Sequence, residues 1–472
     1  MTPLFALPTL LHAADTRSAR KELEQLVARA LENSPLVGAA RARVLQELTR
    51  QDENFAFFEP SLSGLAGTAE RDRGIPGGTG FATSTNNATV VQGGIEAPVR
   101  PGAYVSAGAA ERFLREPGGH HSSVFQTLVG MQVRIPLLRD RGFVQWDLKQ
   151  AQTIAEYNAA VSRLLTVMQN LRHDVEQRYV NVQAALASYT VAQEATARFQ
   201  SLLDEAKQLA ELKVVPEYQL WPAKMELLLR QEAELDAMRL HEVSQIRLQE
   251  LLGDKDALEL KSGPEALVAL ADEVKVPVLP KPDEIVPFRG IYRELLDQEE
   301  VVDAQLRQTR DELRPDVSLN LRATYQGEDP TTPIAVDRVT SDKHLGANAV
   351  IVWKQPLGFR AERARIRRHK ARLEELRQEL RRVEQKVAAD MEAAAAELAK
   401  ARERLALISQ AVNAAQQTLV AEQERFRLGE GRSRNVLDAQ KDLTNVLQRQ
   451  MRTAAILLRA HSDYQYAIGY SN

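Results

Sequence analysis

The chain has 472 residues, with 61 basic and 64 acidic side chains, no cysteine, 44% hydrophobic and 5% aromatic residues. Its net charge of −3 at pH 7 argues against a nucleic-acid binder, because phosphate binding needs a concentrated surplus of Lys and Arg. The absence of cysteine excludes disulfides, thiolate metal sites and cysteine nucleophiles. The sequence also contains no run of about 18 apolar residues, which a membrane-spanning helix would need.

The amino terminus resembles a secretory signal in part. Residues 3–11 form a short apolar stretch, and His12-Ala13-Ala14-Asp15 follows it like a cleavage site. No Lys or Arg precedes the stretch and Pro8 interrupts it, so an ordinary terminus stays open as the alternative. We interpret residues 1–14 as a possible signal remnant.

Several segments alternate apolar and polar residues, as a strand with two different faces does. Residues 317–325 alternate without a break, residues 129–135 alternate in the same way, and residues 347–354 do so less cleanly. The pattern suits a soluble sandwich, with its polar face in water, or a transmembrane barrel, with its apolar face in lipid.

Long stretches without Gly or Pro predict very long helices. Residues 143–215 and 360–428 contain neither Gly nor Pro and are rich in Ala, Leu, Glu, Arg and Gln. Shorter helical segments follow, to about residue 252 and over residues 430–469. Each half therefore reads as a helical hairpin, which must pack along its whole length to be stable.

The two halves have the spacing of diverged copies. Pro35 precedes Pro60, where the first strand begins, by 25 residues, and Gly290 precedes Pro315 by the same 25. We predict a first repeat at residues 15–274, a Pro-rich linker at 275–287 and a second repeat at 288–472.

The first repeat carries about 35 additional residues in its strand region. We place them in an extra hairpin of residues 90–96 and 103–107, joined by Arg100-Pro101-Gly102. The sequence leaves open whether this hairpin adds strands to a barrel or forms a flap.

Residues 425–440 (RFRLGEGRSRNVLDAQ) resemble the helix-turn signature of the TolC-like outer-membrane efflux proteins. The shared features are an Arg-aromatic pair, a Gly three residues after the aromatic, a Ser and a Val-Leu-Asp-Ala run. Residues 30–35 (ALENSP), followed by Ala39-Ala40-Arg41, are similar to the family's first helix. The resemblance extends over residues 21–469.

This resemblance implies a mainly α fold with β structure: a homotrimer with two internal repeats per chain. Each subunit would give four strands to one shared transmembrane β-barrel, and the long antiparallel helices would form a hollow coiled-coil tunnel through the periplasm. The implied function is a passive exit duct in the outer-membrane lipid. Its partners would be a periplasmic adapter (membrane fusion) protein and an inner-membrane pump.

The resemblance also implies two sets of site residues. Asp438 and Asn435 would lie at the pore constriction, where three copies of Asp438 form a carboxylate ring. The tip that contacts the adapter would comprise Leu428, Gly429, Gly431, Ser433, Val214 and Pro216. The first repeat's turn departs from the pattern, because it lacks the glycines of the second.

Other functions have less support in the sequence. A soluble or peripheral coiled-coil scaffold is the main alternative, and an adapter protein is disfavoured because adapters carry one helical hairpin rather than two. No catalytic set or metal-ligand cluster is recognisable, so we expect no enzymatic activity, no cofactor and no metal.

Overall fold

The computed structural model describes residues 8–69, 87–100, 102–115, 124–211, 220–253, 265–276, 279–329, 345–427 and 433–470. The chain divides into two compact units. The sheet unit comprises Leu45–Asn158 and Asp297–Arg377, and the helical unit comprises Met1–Val44, Ala159–Leu296 and Gln378–Asn472. Within the described part of the chain, every helix is too short or too polar to cross a membrane.

Four long helices dominate the chain: α3 (Val144–Glu211), α4 (Leu220–Leu252), α8 (Arg360–Arg427) and α9 (Ser433–Ala467). The helices α3 and α8 have 68 residues each, and neither contains Gly or Pro. At 1.5 Å per residue, each would be about 100 Å long. The long helices predicted from composition are therefore confirmed, with ends within a few residues of those expected.

Shorter helices precede each set of strands. They are α1 (Pro8–Asn33), α2 (Pro35–Phe55), α5 (Ala266–Glu273), α6 (Pro282–Ile285) and α7 (Gly290–Asp311). Pro35 suits the first position of α2, because that position needs no backbone N–H and favours the proline φ angle. Helix α6 lies inside the segment predicted as the linker, and α1 begins within the possible signal remnant.

The described residues of the sheet unit form one antiparallel sheet of six strands in the order β1-β2-β3-β4-β5-β6. The strands are β1 (Ser61–Ala69), β2 (Asn87–Val99), β3 (Ala103–Arg115), β4 (Val124–Pro136), β5 (Asp316–Asp329) and β6 (Leu345–Lys354). All segments with alternating residues lie in these strands, so their prediction is confirmed.

The extra hairpin lies within the sheet, as β2 and β3. These two strands pair over 13 residue pairs from Asn87↔Arg115 to Val99↔Ala103, and their outer edges pair with β1 and β4. The four strands per subunit that the resemblance implies do not describe this sheet, in which the described residues form six strands. The physical reason is that β2 and β3 satisfy their backbone hydrogen bonds by pairing on both sides, which a flap outside the sheet would not allow.

The core of the helical unit is a seam of regularly spaced side chains. In α8 the buried residues recur at steps of three or four, and the two steps alternate from Met391 onward: Val383, Val387, Met391, Ala394, Leu398, Ala401 and Leu405. This spacing is that of a left-handed coiled coil. The seam packs against Leu457 and Tyr464 of α9 and against Leu267 of α5.

The order of elements, helix then strands then a long and a shorter helix, occurs twice along the chain, and the two-repeat division stays a prediction.

Candidate functional site

The two faces of the sheet differ in chemistry. Residues paired across neighbouring strands lie on the same face, so a row of partners can be followed from β1 to β6. One such row is Leu62, Ile95, Ala107, Met131, Ala323 and Ala347. The adjacent row on the other face is Ser61, Glu96, Ser106, Gln132, Arg322 and Asn348. We call the face with the first row the apolar face and the face with the second row the polar face.

Among the described residues, several large side chains on the apolar face are exposed. Leu62 is 82% exposed, Ile351 is 68% exposed and Trp353 is 65% exposed. A polar pair interrupts this face, where Thr127 Oγ1 donates to Glu111 Oε2 at 2.5 Å, so the carboxylate has a protein partner. A large exposed apolar surface of this kind marks a site of contact with lipid or with another protein.

Glycines on the polar face show the direction in which the sheet bends. A Cβ added to Gly94 would lie 3.1 Å from the oxygen of Ala107, and one added to Gly108 would lie 2.7 Å from the oxygen of Gly93. On the apolar face, a Cβ added to Gly93 would lie 3.8 Å from its nearest neighbour. In the centre of the sheet the strands therefore crowd together on the polar side, which indicates that the polar face is concave there.

Both outer strands of the sheet lack the usual protection against pairing. Strand β1 (SLSGLAGTA) contains no charge and no proline, and β6 (LGANAVIVWK) has one charge at its last residue. Edge strands that stay unpaired normally carry charges, prolines or bulges. These two edges are therefore suited to pairing with further strands.

An aromatic cluster fixes the strand-to-helix junction of the sheet unit. Phe143 packs edge-to-face on Phe57 and on Tyr104 of β3, at centroid distances of 5.4 and 5.3 Å. Trp146 Nε1 donates to the backbone oxygen of Asn54 at 2.8 Å in a buried position. These contacts join the end of α2, the sheet and the beginning of α3.

The predicted constriction residues lie on an exposed face of α9. Asn435 and Asp438 are both exposed, and Arg434 Nε lies 3.9 Å from Asp438 Oδ2 in a solvated pair. Asp442, one turn beyond Asp438, is exposed on the same face. Sequence reasoning missed Asp442 and Arg434, although their spacing of four residues from Asp438 was a usable signal.

A buried carboxylate joins α4 to α9. The side chain of Glu226 is 6% exposed, and its two oxygens accept from Arg230 Nη2 at 2.6 Å and from Lys441 Nζ at 2.8 Å. Burial alone would raise the pKa of Glu226, but the hydrogen bonds from Lys441 and Arg230 outweigh it and lower that pKa. Arg230 also lies over the ring of Phe199 in α3, 5.3 Å from its centroid.

Apolar side chains surround this charged group. Leu202 of α3, Leu419 of α8 and Val436 of α9 belong to one buried cluster, and Leu437 also packs against Phe199 and Leu227. The four long helices are therefore packed together near the beginning of α9. Sequence reasoning could find the Glu226–Arg230 pair from its helical spacing, but Lys441 lies too far along the chain to be assigned to it.

Most of the predicted adapter-contact residues lie outside the described residues: Leu428, Gly429, Gly431, Val214 and Pro216. Ser433 is the first residue of α9. The assignment of this tip to adapter contact stays a prediction.

Comparisons with known proteins agree with this architecture. Residues 297–466 match the outer membrane efflux protein family. VceC, an outer membrane protein of Vibrio cholerae, has 14% identity and a TM-score of 0.68, with 95% of this chain and 96% of that chain covered. The MtrE outer membrane channel of Neisseria gonorrhoeae, in its open state, has 14% identity and a TM-score of 0.68, with 95% and 88% covered.

The CmeC outer membrane channel of Campylobacter jejuni has 13% identity and a TM-score of 0.66, with 95% of this chain and 85% of that chain covered. A search of curated protein sequences gives no match. The predicted resemblance to TolC-like proteins is confirmed: residues 297–466 match their family, and nearly the whole chain shares the fold of solved outer membrane channels.

Proposed function

We propose that the protein is the outer-membrane exit duct of a tripartite efflux or secretion system. In this proposal three copies form one channel, which passively conducts small molecules or other cargo. An inner-membrane pump supplies the energy, and a periplasmic adapter joins the pump to the duct. The observation that carries the proposal is the sheet, which has one apolar face, one polar face and two unprotected edges.

The sheet has the dimensions and polarity of a barrel wall. Strands β2, β3 and β4 have 13 residues each. At about 3.3 Å per residue and a tilt of about 40°, such a strand rises roughly 33 Å, more than the ~25 Å apolar band of outer-membrane barrels. With the apolar face toward lipid and the concave polar face toward water, each face meets its preferred solvent.

The long helices provide the periplasmic part of the duct. We assign α3, α4, α8 and α9 to a coiled-coil tunnel, because the buried seam of α8 has coiled-coil spacing. A helix on the order of 100 Å is suited to reaching from the outer membrane into the periplasm.

We place the narrow mouth of the tunnel at the beginning of α9. Three copies of Asp438 would form a carboxylate ring, with Asn435 beside it, and Asp442 would add a second ring one turn away. Because Arg434 would partly neutralise Asp438, we propose that Asp442 contributes as much to the constriction as Asp438. The adjoining tip, at Leu428, Gly429, Gly431, Ser433, Val214 and Pro216, is the proposed contact with the adapter.

Membrane fractionation tests the proposal directly. The full-length protein should be recovered in the outer-membrane fraction, resist extraction by salt and carbonate, and migrate as a trimer in mild detergent. Purified trimers should form ion-conducting pores in planar bilayers. A monodisperse monomer in buffer without detergent would contradict the proposal and favour a soluble coiled-coil scaffold.

A further inference from the structure

We propose that the barrel of the assembled protein has 18 strands, six from each of three copies, closed by pairing β1 of one copy with β6 of the next. This inference rests on the trimeric duct proposed above. It differs from the four strands per subunit that the family resemblance implies, and it changes the width of the exit.

The edges of the sheet support pairing with a second copy. An isolated two-edged sheet exposes a row of free backbone N–H and C=O groups on each outer strand, which cannot be left unpaired in lipid. Strands β1 and β6 carry one charge between them, at Lys354, and therefore lack the features that prevent pairing. Pairing these two edges satisfies both rows at once.

The strand directions allow this closure. Every neighbouring pair in the sheet is antiparallel, so β1 and β6 run in opposite directions. An even number of strands per copy means that β1 of one copy meets β6 of the next in an antiparallel pair, as in bacterial outer-membrane barrels. Leu62 of β1 and Ala347 of β6 lie on the apolar face, so the apolar and polar faces both continue across the joint.

The extra hairpin is a full part of this wall. Strands β2 and β3 are as long as β4, and they follow the same alternation, with Val91 and Ile95 on the apolar face and Gln92 and Glu96 on the polar face. Ile95 is 53% exposed on the apolar face, in the same row as Leu62. A flap inside the lumen would place Ile95 in water.

Strand number sets the width of a barrel. With neighbouring strands about 4.8 Å apart and tilted by about 40°, a closed barrel of 18 strands has a backbone diameter of roughly 36 Å, against roughly 24 Å for 12 strands. Barrels of 16–18 strands enclose an open aqueous channel. The exit would therefore be wide enough for bulkier hydrated cargo than a 12-stranded barrel passes.

Engineered cysteines test the position of the hairpin. The chain has no cysteine, so introduced pairs are the only thiols present. Ala107→Cys with Met131→Cys joins neighbouring strands and should cross-link within a chain, because paired residues have Cα atoms within disulfide reach. Leu62→Cys with Met131→Cys spans three strand spacings, about 14 Å, and should not.

A second set of variants tests the joint between copies. Leu62→Cys in β1 is combined with a cysteine at Ala347, Ala349 or Ile351 of β6, and oxidation should give covalent dimers and trimers at one or two of these positions. The control replaces Leu62→Cys with Ala107→Cys in the centre of the sheet, and it should give no products between copies. Electron microscopy of the detergent-solubilised trimer should show 18 strands.

Two results would overturn the inference without contradicting the proposed duct. The first is efficient cross-linking of Leu62→Cys with Met131→Cys within one chain of a trimer in the outer membrane. The second is an image of the trimer that shows 12 strands. A protein that is monomeric, or absent from the outer membrane, would instead contradict the proposed function itself.

Discussion

Removing the carboxylate of Glu226 should loosen the packing of α4 against α9. Truncating one partner of a buried ion pair costs about 3–5 kcal/mol, because the remaining charge stays buried and unpaired. The cost should be lower here, since the side chain of Lys441 is 36% exposed and can regain water, and Arg230 keeps its contact with Phe199. We expect Glu226→Ala to destabilise the local contact by about 2–3 kcal/mol.

Hydrogen exchange measured by mass spectrometry can detect this change. A loss of about 2–3 kcal/mol in local stability corresponds to roughly 30- to 150-fold faster exchange of the amides in the adjoining turns of α4 and α9. The matched control is Asp236→Ala on α4, which removes a solvent-exposed pair with Arg239 and should cost less than about 0.5 kcal/mol. Equal exchange rates in the two variants would refute the reasoning.

The same contact should depend on pH in a defined direction. The pKa of Glu226 is lower in the folded protein than its ordinary value of 4.5, so its contribution to stability is present above pH 4.5 and is lost as the pH falls through the lowered pKa. Protection of the amides in α4 and α9, measured against the exchange rate of an unfolded peptide at the same pH, should therefore fall in acid in the unaltered protein. This loss of protection should be smaller in Glu226→Ala, which has no carboxylate to titrate.

Three further changes test other parts of the structure. Asp438→Ala should weaken the block of bilayer conductance by polyvalent cations. Adding Asp442→Ala should lower the affinity of the blocking cation by at least about tenfold, or ~1.4 kcal/mol. An unchanged block would place the constriction elsewhere. Gly130→Val would bring a Cβ within 2.7 Å of a methyl carbon and should cost about 1–3 kcal/mol in thermal unfolding, whereas Gly93→Ala, with 3.8 Å of space, should be nearly neutral. Trp146→Phe leaves the buried backbone carbonyl of Asn54 in α2 without its donor, and it should also lower the free energy of unfolding by about 1–3 kcal/mol. A cost below about 0.5 kcal/mol would show that water replaces the indole N–H.

Much of the fold could be read from local patterns. The alternation in residues 317–325 predicted β5, and the absence of Gly and Pro over residues 360–428 predicted α8 to within one residue at its end. Strand and helix periods are local properties, because each follows from the direction in which successive side chains point. The fold class and the resemblance to outer membrane channels depended only on such patterns and on their order.

The candidate site was less accessible to sequence reasoning. Asp438 was found through a local signature, but the partners that surround the same region come from distant segments. Glu226 and Lys441 are 215 residues apart, and no local pattern indicates that the second residue satisfies the first. A contact of this kind follows from helix packing, which depends on all four helices together.

The sequence by itself determined which segments are helices, which are strands and which face of the clearly alternating segments is apolar, because those properties are set by neighbours a few residues apart. Tertiary structure alone decided that the extra hairpin joins the sheet and that Glu226 links α4 to α9. The reason is physical: backbone groups of a strand and the charge of a buried carboxylate must be satisfied by partners, and those partners are brought near only when the chain has folded.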